Sequence, residues 1–224
     1  MKQLYEDLWV STPEFPASED EPVQVMHGFL LQHLRGNLLI SRVSSAEDQQ
    51  AIADRGGLIR HYLTHCHEAC PATRTLQQRF NSALYCHARA LGQVSHFAEA
   101  DATFHTAEVH CGSFHVVPTP GHTPGSTSYL YASPYGKTYL FVGDTVTLHR
   151  GRWVTVLVEE SNENDLRQTL EFYRALRPDV ILMGTTLGHQ AWQEVDVRQW
   201  LALLDEAENN VLDLRHSAQH TSIH

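Results

Sequence analysis

The chain has 224 residues, 42% apolar and 19% charged, the composition of an ordinary globular protein with enough length to bury a core and not that of a disordered or collagen-like chain. Its 16 Lys and Arg against 26 Asp and Glu leave a net charge of −10, which argues against work on nucleic-acid phosphates and against docking on anionic lipid. No apolar run reaches the roughly 20 residues of a membrane span, residues 1–10 carry no apolar signal-peptide core, and four irregularly spaced cysteines make no disulfide framework, so the expectation is a cytoplasmic protein.

Residues 11–22, rich in proline and acid, read as a strap on the surface. Two apolar runs, 23–34 and 37–43, meet at Arg35-Gly36 and read as an antiparallel hairpin. Residues 44–55 read as a helix, with Ser44 and Glu47 at capping-box spacing and Gly56-Gly57 to end it. A buried strand is expected over 58–63, then a polar segment to residue 71, then a helix over 72–80 with Leu76 and Phe80 one turn apart. Strands follow at 83–85, 106–111, 113–118, 127–131, 138–142 and 153–158. Leu166, Leu170 and Tyr173 share one face of a helix over 162–176, which Arg177-Pro178 closes. A short buried strand covers 180–183. The last helix is expected from 197 to about 215, with Asp196 and Gln199 as a capping box and Val197, Trp200, Leu201, Leu204 and Val211 as its apolar stripe. This order suits one domain over residues 1–224, with a two-sheet core and helices outside.

Histidine is abundant, with sixteen copies, and three short motifs give that count a place. Thr64-His65-Cys66-His67-Glu68-Ala69-Cys70 follows the strand at 58–63. Histidines two apart at a strand end can both turn inward, aiming two imidazoles at one point, as a zinc or iron site requires. Thr119-Pro120-Gly121-His122-Thr123-Pro124-Gly125-Ser126 follows the strand at 113–118, and its prolines and glycines make a tight loop around one His. Leu140-Phe141-Val142-Gly143-Asp144-Thr145 ends an apolar strand on an acid, a natural oxygen ligand. Each motif alone has an ordinary turn reading; their joint order, each after a strand, points to a metal site. His27, His33, His61, His105, His110 and His115 lack ligand spacing and read as core or surface residues.

These motifs resemble those of the metallo-β-lactamase superfamily: a Thr-His-x-His-x-Asp-His loop, a Gly-His-Thr-x-Gly-Ser loop, a strand ending in Gly-Asp, and a late His after a strand. The resemblance covers residues 23–192, and the Thr-Pro-Gly-His-Thr-Pro-Gly-Ser stretch is its most specific part. That stretch is similar to the hydroxyacylglutathione hydrolase and lactonase branches rather than to secreted antibiotic-degrading enzymes. The resemblance implies an α/β fold, an αββα four-layer sandwich of two mixed sheets flanked by helices, with metal at one sheet edge. By position it implies His65, His67 and His122 as ligands of a first metal and Asp144 as the carboxylate that bridges two metals.

The positions of the second metal depart from the pattern. Ala69 stands where the resemblance expects Asp, and Cys70 where it expects His. Thr185 follows Met183-Gly184 where the late His belongs, and the nearest His is His189. The Asp that usually ends the early strand is replaced in Ile40-Ser41-Arg42. Cys70 and His189 either rebuild a second site with Asp144 or are a space-filling residue and a loop residue; Cys66 should point away from the inward histidines. What is implied is one divalent ion, zinc first, with iron or manganese as alternatives. The expected function is a metal-dependent hydrolase of a small-molecule ester, thioester or lactone-type carbonyl, with a metal-bound hydroxide as nucleophile and Asp144 as ligand and proton acceptor. Two alternatives stand beside it: a non-catalytic, degenerate binding or regulatory protein, and a mononuclear iron dioxygenase of a sulfur compound. The last helix is too short for the glutathione-binding domain of the hydroxyacylglutathione hydrolases, and relatives imply a homodimer.

Overall fold

The computed structural model describes residues 1–15, 24–188 and 190–215. Its strands form two large sheets. The first orders Lys2–Tyr5, Leu8–Val10, Gly28–His33, Gly36–Ser41, Arg60–Tyr62, Ala83–His87 and Ala102–Phe104. The expected hairpin is there, pairing Phe29 with Ile40 and Leu31 with Leu38, and from Gly36–Ser41 onward the neighbours run parallel. The second sheet orders Trp192–Glu194, Val180–Met183, Thr138–Gly143, Thr127–Ala132, Phe114–Pro118 and Glu108–His110.

Period-two alternation explains how the layers stack. Phe114, Val116, Tyr129, Tyr131, Phe141 and Leu182 of the second sheet pack against Phe29, Leu31, Leu38, Ile40 and Tyr62 of the first, forming the central core. The alternate residues Leu140, Val142, Ile181 and Met183 face outward onto helix residues Leu170, Tyr173, Trp200 and Leu204. On the far side, Leu30 and Leu39 pack on Ile52 and Leu76. The helices are α1 (Ala46–Asp54), α2 (Pro71–Phe80), α3 (Leu91–Val94), α4 (Glu163–Arg174) and α5 (Val197–Asn209). The α1 and α2 residues lie outside one sheet and those of α4 and α5 outside the other, so the architecture is the expected αββα sandwich. None of these helices is long and apolar enough to cross a membrane.

The structure corrects several boundaries. Ser45, not Ser44, caps α1: its side chain accepts from the Asp48 amide at 3.3 Å, while the Ser44 amide is taken by Glu14. The last helix stops at Asn209, and Val211–Asp213 becomes a strand parallel to Arg152–Leu157. Val211 is therefore 54% exposed, and the buried stripe of α5 is Trp200, Leu203, Leu204 and Ala207. The N-terminal strands Lys2–Tyr5 and Leu8–Val10 were not expected, nor was Ala102–Phe104; all three lie at or near an edge of the first sheet, where short strands give little periodic signal.

Strand direction sets the place of the motifs. Arg60–Tyr62, Phe114–Pro118, Thr138–Gly143 and Val180–Met183 lead at their C-terminal ends into His65, His122, Asp144 and Gly184 respectively. Two bonds tie the sheets together just behind this edge: the Tyr129 hydroxyl donates to the Leu63 carbonyl at 2.6 Å, and the Thr127 amide to the Thr64 carbonyl at 2.8 Å.

Candidate metal centre

Three of the predicted residues come together. One ligand atom each from His65, His67 and His122 lies within 4.8 Å of the others. Ring centroids are 5.0–5.8 Å apart and the planes nearly perpendicular, so the rings meet edge to face around a common point. Asp144 joins them: its Oδ2 is 3.5 Å from His65 Nε2 and 3.9 Å from His122 Nε2.

Each histidine is held differently. A single 3-10 turn, Cys66–Glu68, separates His65 from the chain beyond and carries His67. His65 Nδ1 meets the Thr64 hydroxyl at 3.0 Å. His67 is exposed, with Nε2 3.7 Å from Glu160 Oε2. His122 sits in its Pro/Gly loop, which is fastened by the Ser161 hydroxyl on the His122 carbonyl at 2.7 Å and the Thr169 hydroxyl on the Pro120 carbonyl at 2.7 Å. Its Nδ1 donates to the Val156 carbonyl at 3.0 Å, an arrangement that leaves a lone pair on Nε2.

That lone pair supplies the test of whether a cation fits. His122 Nε2 and Asp144 Oδ1 are both buried without a hydrogen-bond partner. A lone pair and a carboxylate brought together with no donor between them repel, and a divalent ion at the common point turns that repulsion into bonding. Burial pulls His65 down to about 3, against the opposing pull of Asp144, and burial likewise holds His122 below the usual histidine range. Both rings are therefore neutral near pH 7, the form a metal binds.

The site opens into a cavity of about 180 Å³. Met26, Val156, Val158, Leu187 and Leu214 supply apolar wall, and Arg42 a charge. Arg42 Nε is fixed by Glu14 at 3.3 Å and Ser44 at 3.2 Å. Ser41 and the buried Glu68 line the floor beside Asp144. Burial pushes Glu68 up to about 7, although it accepts hydrogen bonds from Ser41 and Thr64.

Cys70 and Ala69, at positions expected to serve a second metal, have neighbours of their own. Cys70 is the N-cap of α2: its Sγ contacts Thr73 Oγ1 and Ser44 Oγ, each at 3.9 Å, and its amide donates to Thr73 Oγ1 at 3.1 Å. Among the described residues the cluster of possible metal ligands contains His65, His67 and His122; Asp144 and Cys70 both lie outside it, Asp144 next to two of its rings. Ala69 packs with Cys66, Leu63, Leu84 and Val94 in an apolar cluster. Cys66 thus points away from the histidines, and burial raises its thiol to about 11. His189 lies outside the described residues. Sequence reasoning gave no role to Thr64, Glu68 or Arg42; an acid one place before the expected Asp, four residues after Thr64, was the available signal for the first two.

A family model described as the metallo-beta-lactamase superfamily matches residues 51–185. No curated protein matches the chain in sequence. Among solved structures, a metallo-beta-lactamase from Pontibacter korlensis is similar with a TM-score of 0.67 at 16% identity, over 91% of this chain and 97% of that one. The DIM-1 metallo-beta-lactamase gives 0.66 at 13% identity, over 91% and 95%. A Cronobacter sakazakii metallo-beta-lactamase with a HARLDQ motif gives 0.57 at 18%, over 71% and 74%. At such identities the likeness is one of fold.

Proposed function

Because the chain belongs to the metallo-β-lactamase superfamily, we propose that it is a hydrolase working with one divalent ion on an ester, thioester or lactone-type carbonyl of a small molecule. The observation that carries this reading is the convergence of three imidazoles within 4.8 Å, with the unpartnered His122 Nε2 and Asp144 Oδ1 beside them. His65, His67 and His122 would hold the ion, with Asp144 as the oxygen ligand, and three imidazoles with a carboxylate suit zinc, which can take water as a further ligand. Such an ion supplies Lewis acidity toward a carbonyl oxygen and makes water a competent nucleophile near neutral pH. Asp144 would serve as the acceptor for the proton of the attacking water. The apolar wall of Met26, Val156 and Leu187 seats the acyl portion and keeps bulk water away from the carbonyl.

The test is elemental analysis of protein purified without chelator or immobilised-metal resin, followed by a panel of esters, thioesters and lactones. One zinc per chain with turnover supports the reading. Two ions per chain overturn the mononuclear assignment. Iron with oxygen uptake on a persulfide substrate replaces hydrolysis by dioxygenation. A second reading, a metal-binding protein without turnover, draws on Ala69 and Cys70, which are committed to packing and capping; a loaded protein inert across the panel would select it.

A further inference from the structure

We propose that Glu68, acting through the Thr64 hydroxyl, is a positioning residue that fixes His65 with its proton on Nδ1 and its Nε2 lone pair turned to the metal position. The inference rests on the reading of His65 as a ligand and concerns what holds that ligand in its binding form.

Proton counting gives the direction. The buried Glu68 carboxylate receives the Thr64 amide on Oε2 at 2.7 Å and the Thr64 hydroxyl on Oε1 at 2.7 Å. A threonine hydroxyl has one proton to give. With that proton spent on Glu68, Thr64 Oγ1 meets His65 Nδ1 at 3.0 Å with a lone pair, so the hydrogen between them belongs to the imidazole. The neutral ring then carries its free lone pair on Nε2, the nitrogen that faces Asp144 at 3.5 Å. Glu68 Oε1 is 3.9 Å from His65 Nδ1, beyond direct bonding, so the threonine is a necessary link.

The second sheet is shaped around this pair. A Cβ on Gly143, whose φ is +57°, would stand 2.5 Å from Thr64 Oγ1. A Cβ on Gly184 would stand 2.9 Å from Glu68 Oε1. Two strand ends thus carry glycine where the relay passes. Position 69, where a coordinating Asp is expected, is Ala, and the carboxylate one residue earlier, Glu68, stands behind the first histidine. His122 reaches the same tautomer by a shorter route, through the Val156 carbonyl.

Outer partners of this kind set ligand orientation and basicity, and losing one costs about 10–100-fold in metal affinity. The test uses the full chain, stripped of metal, at pH 8. Long-range 15N–1H correlation spectra read the tautomer of each histidine directly, and chelator competition reads zinc affinity. Wild-type protein is expected to show His65 as the Nδ1–H form. In Glu68→Gln the amide oxygen keeps the Thr64 amide, while its NH2 donates to the Thr64 hydroxyl. The hydroxyl then donates to His65, driving the ring to the Nε2–H form, and zinc binding weakens about 10–100-fold. Thr64→Val should lose the preference with a similar loss of zinc affinity, and Thr64→Ser should restore both. An unchanged His122 signal shows that the variants remain folded. An unaltered His65 tautomer in both variants, or full zinc affinity with a switched tautomer, overturns the proposal. Wild-type protein with the Nδ1–H tautomer that takes up no zinc overturns the metal-dependent hydrolase instead and upholds the relay.

Discussion

The two sides of the cavity are built from the same kind of material and put to different use. On one side, His65, His67, His122 and Asp144 follow strand ends and turn their polar atoms toward one another, with His122 Nε2 and Asp144 Oδ1 left without a protein partner. On the other, Glu68 turns its carboxylate to Thr64, and just behind it Cys70 turns its thiol to the start of α2 while Ala69 packs in an apolar cluster. A polar residue near a site is a ligand only if nothing else in the fold has already satisfied it. By that criterion His122 Nε2 and Asp144 Oδ1 are unsatisfied, while the Cys70 thiol has Thr73 and Ser44 hydroxyls beside it.

The sharpest way to break the contrast is to empty the first side. His65→Ala with His122→Ala should take the protein from about one bound ion per chain to none, read by elemental analysis after gel filtration. An ion still retained would place the site elsewhere.

Next in size is a pH effect from behind the second side. Buried His61 bonds the Ser41 carbonyl through Nε2 at 2.7 Å, and burial pulls it down to about 4, against the opposing effect of that bond. The unfolded chain takes up this proton near pH 6.5 and the folded protein only near 4, so stability present above 6.5 is lost as pH falls through that window. The loss is on the order of 3 kcal/mol. Urea titrations of the metal-free protein across pH 4–7 should show it, and His61→Gln should flatten that share of the slope.

Gly184→Ala presses on the floor where the two sides meet. The new Cβ would lie 2.9 Å from Glu68 Oε1, 3.2 Å from Ser41 Oγ and 3.3 Å from Asp144 Oδ1. Overpacking of this kind costs about 1–3 kcal/mol, measured as a lowered urea midpoint. The smallest expected change is Cys70→Ala: the amide bond to Thr73 Oγ1 survives, so stability falls by less than about 1 kcal/mol, with metal content unaltered. A fall in metal content would move Cys70 to the ligand side.

The first side was legible in the sequence because proline, glycine and strand periodicity punctuate it. His122 between two Pro-Gly pairs and Asp144 after an apolar strand announce both element and position. The second side was half legible. The missing Asp and His could be read at Ala69 and Cys70, but the cap that Cys70 supplies could not, since it depends on Pro71 opening α2 and on Thr73 turning back. The Glu68 contact escaped because it needs the 3-10 turn at Cys66–Glu68, too short for any periodicity to reveal. The Val156 carbonyl that orients His122 carries no side-chain signature at all. Where α5 ends was misjudged for a related reason: Val211 continues the helical period, yet its pairing in a parallel strand is decided by Thr155 and Val156, far away in the chain.

One more consequence follows from the Tyr129 hydroxyl on the Leu63 carbonyl and the Thr127 amide on the Thr64 carbonyl. These bonds clamp the backbone just ahead of His65 to the opposite sheet with protein atoms alone. The clamp fixes the entry to the histidine loop without help from any ion. Chelation should therefore leave amide protection along Thr127–Ala132 unchanged.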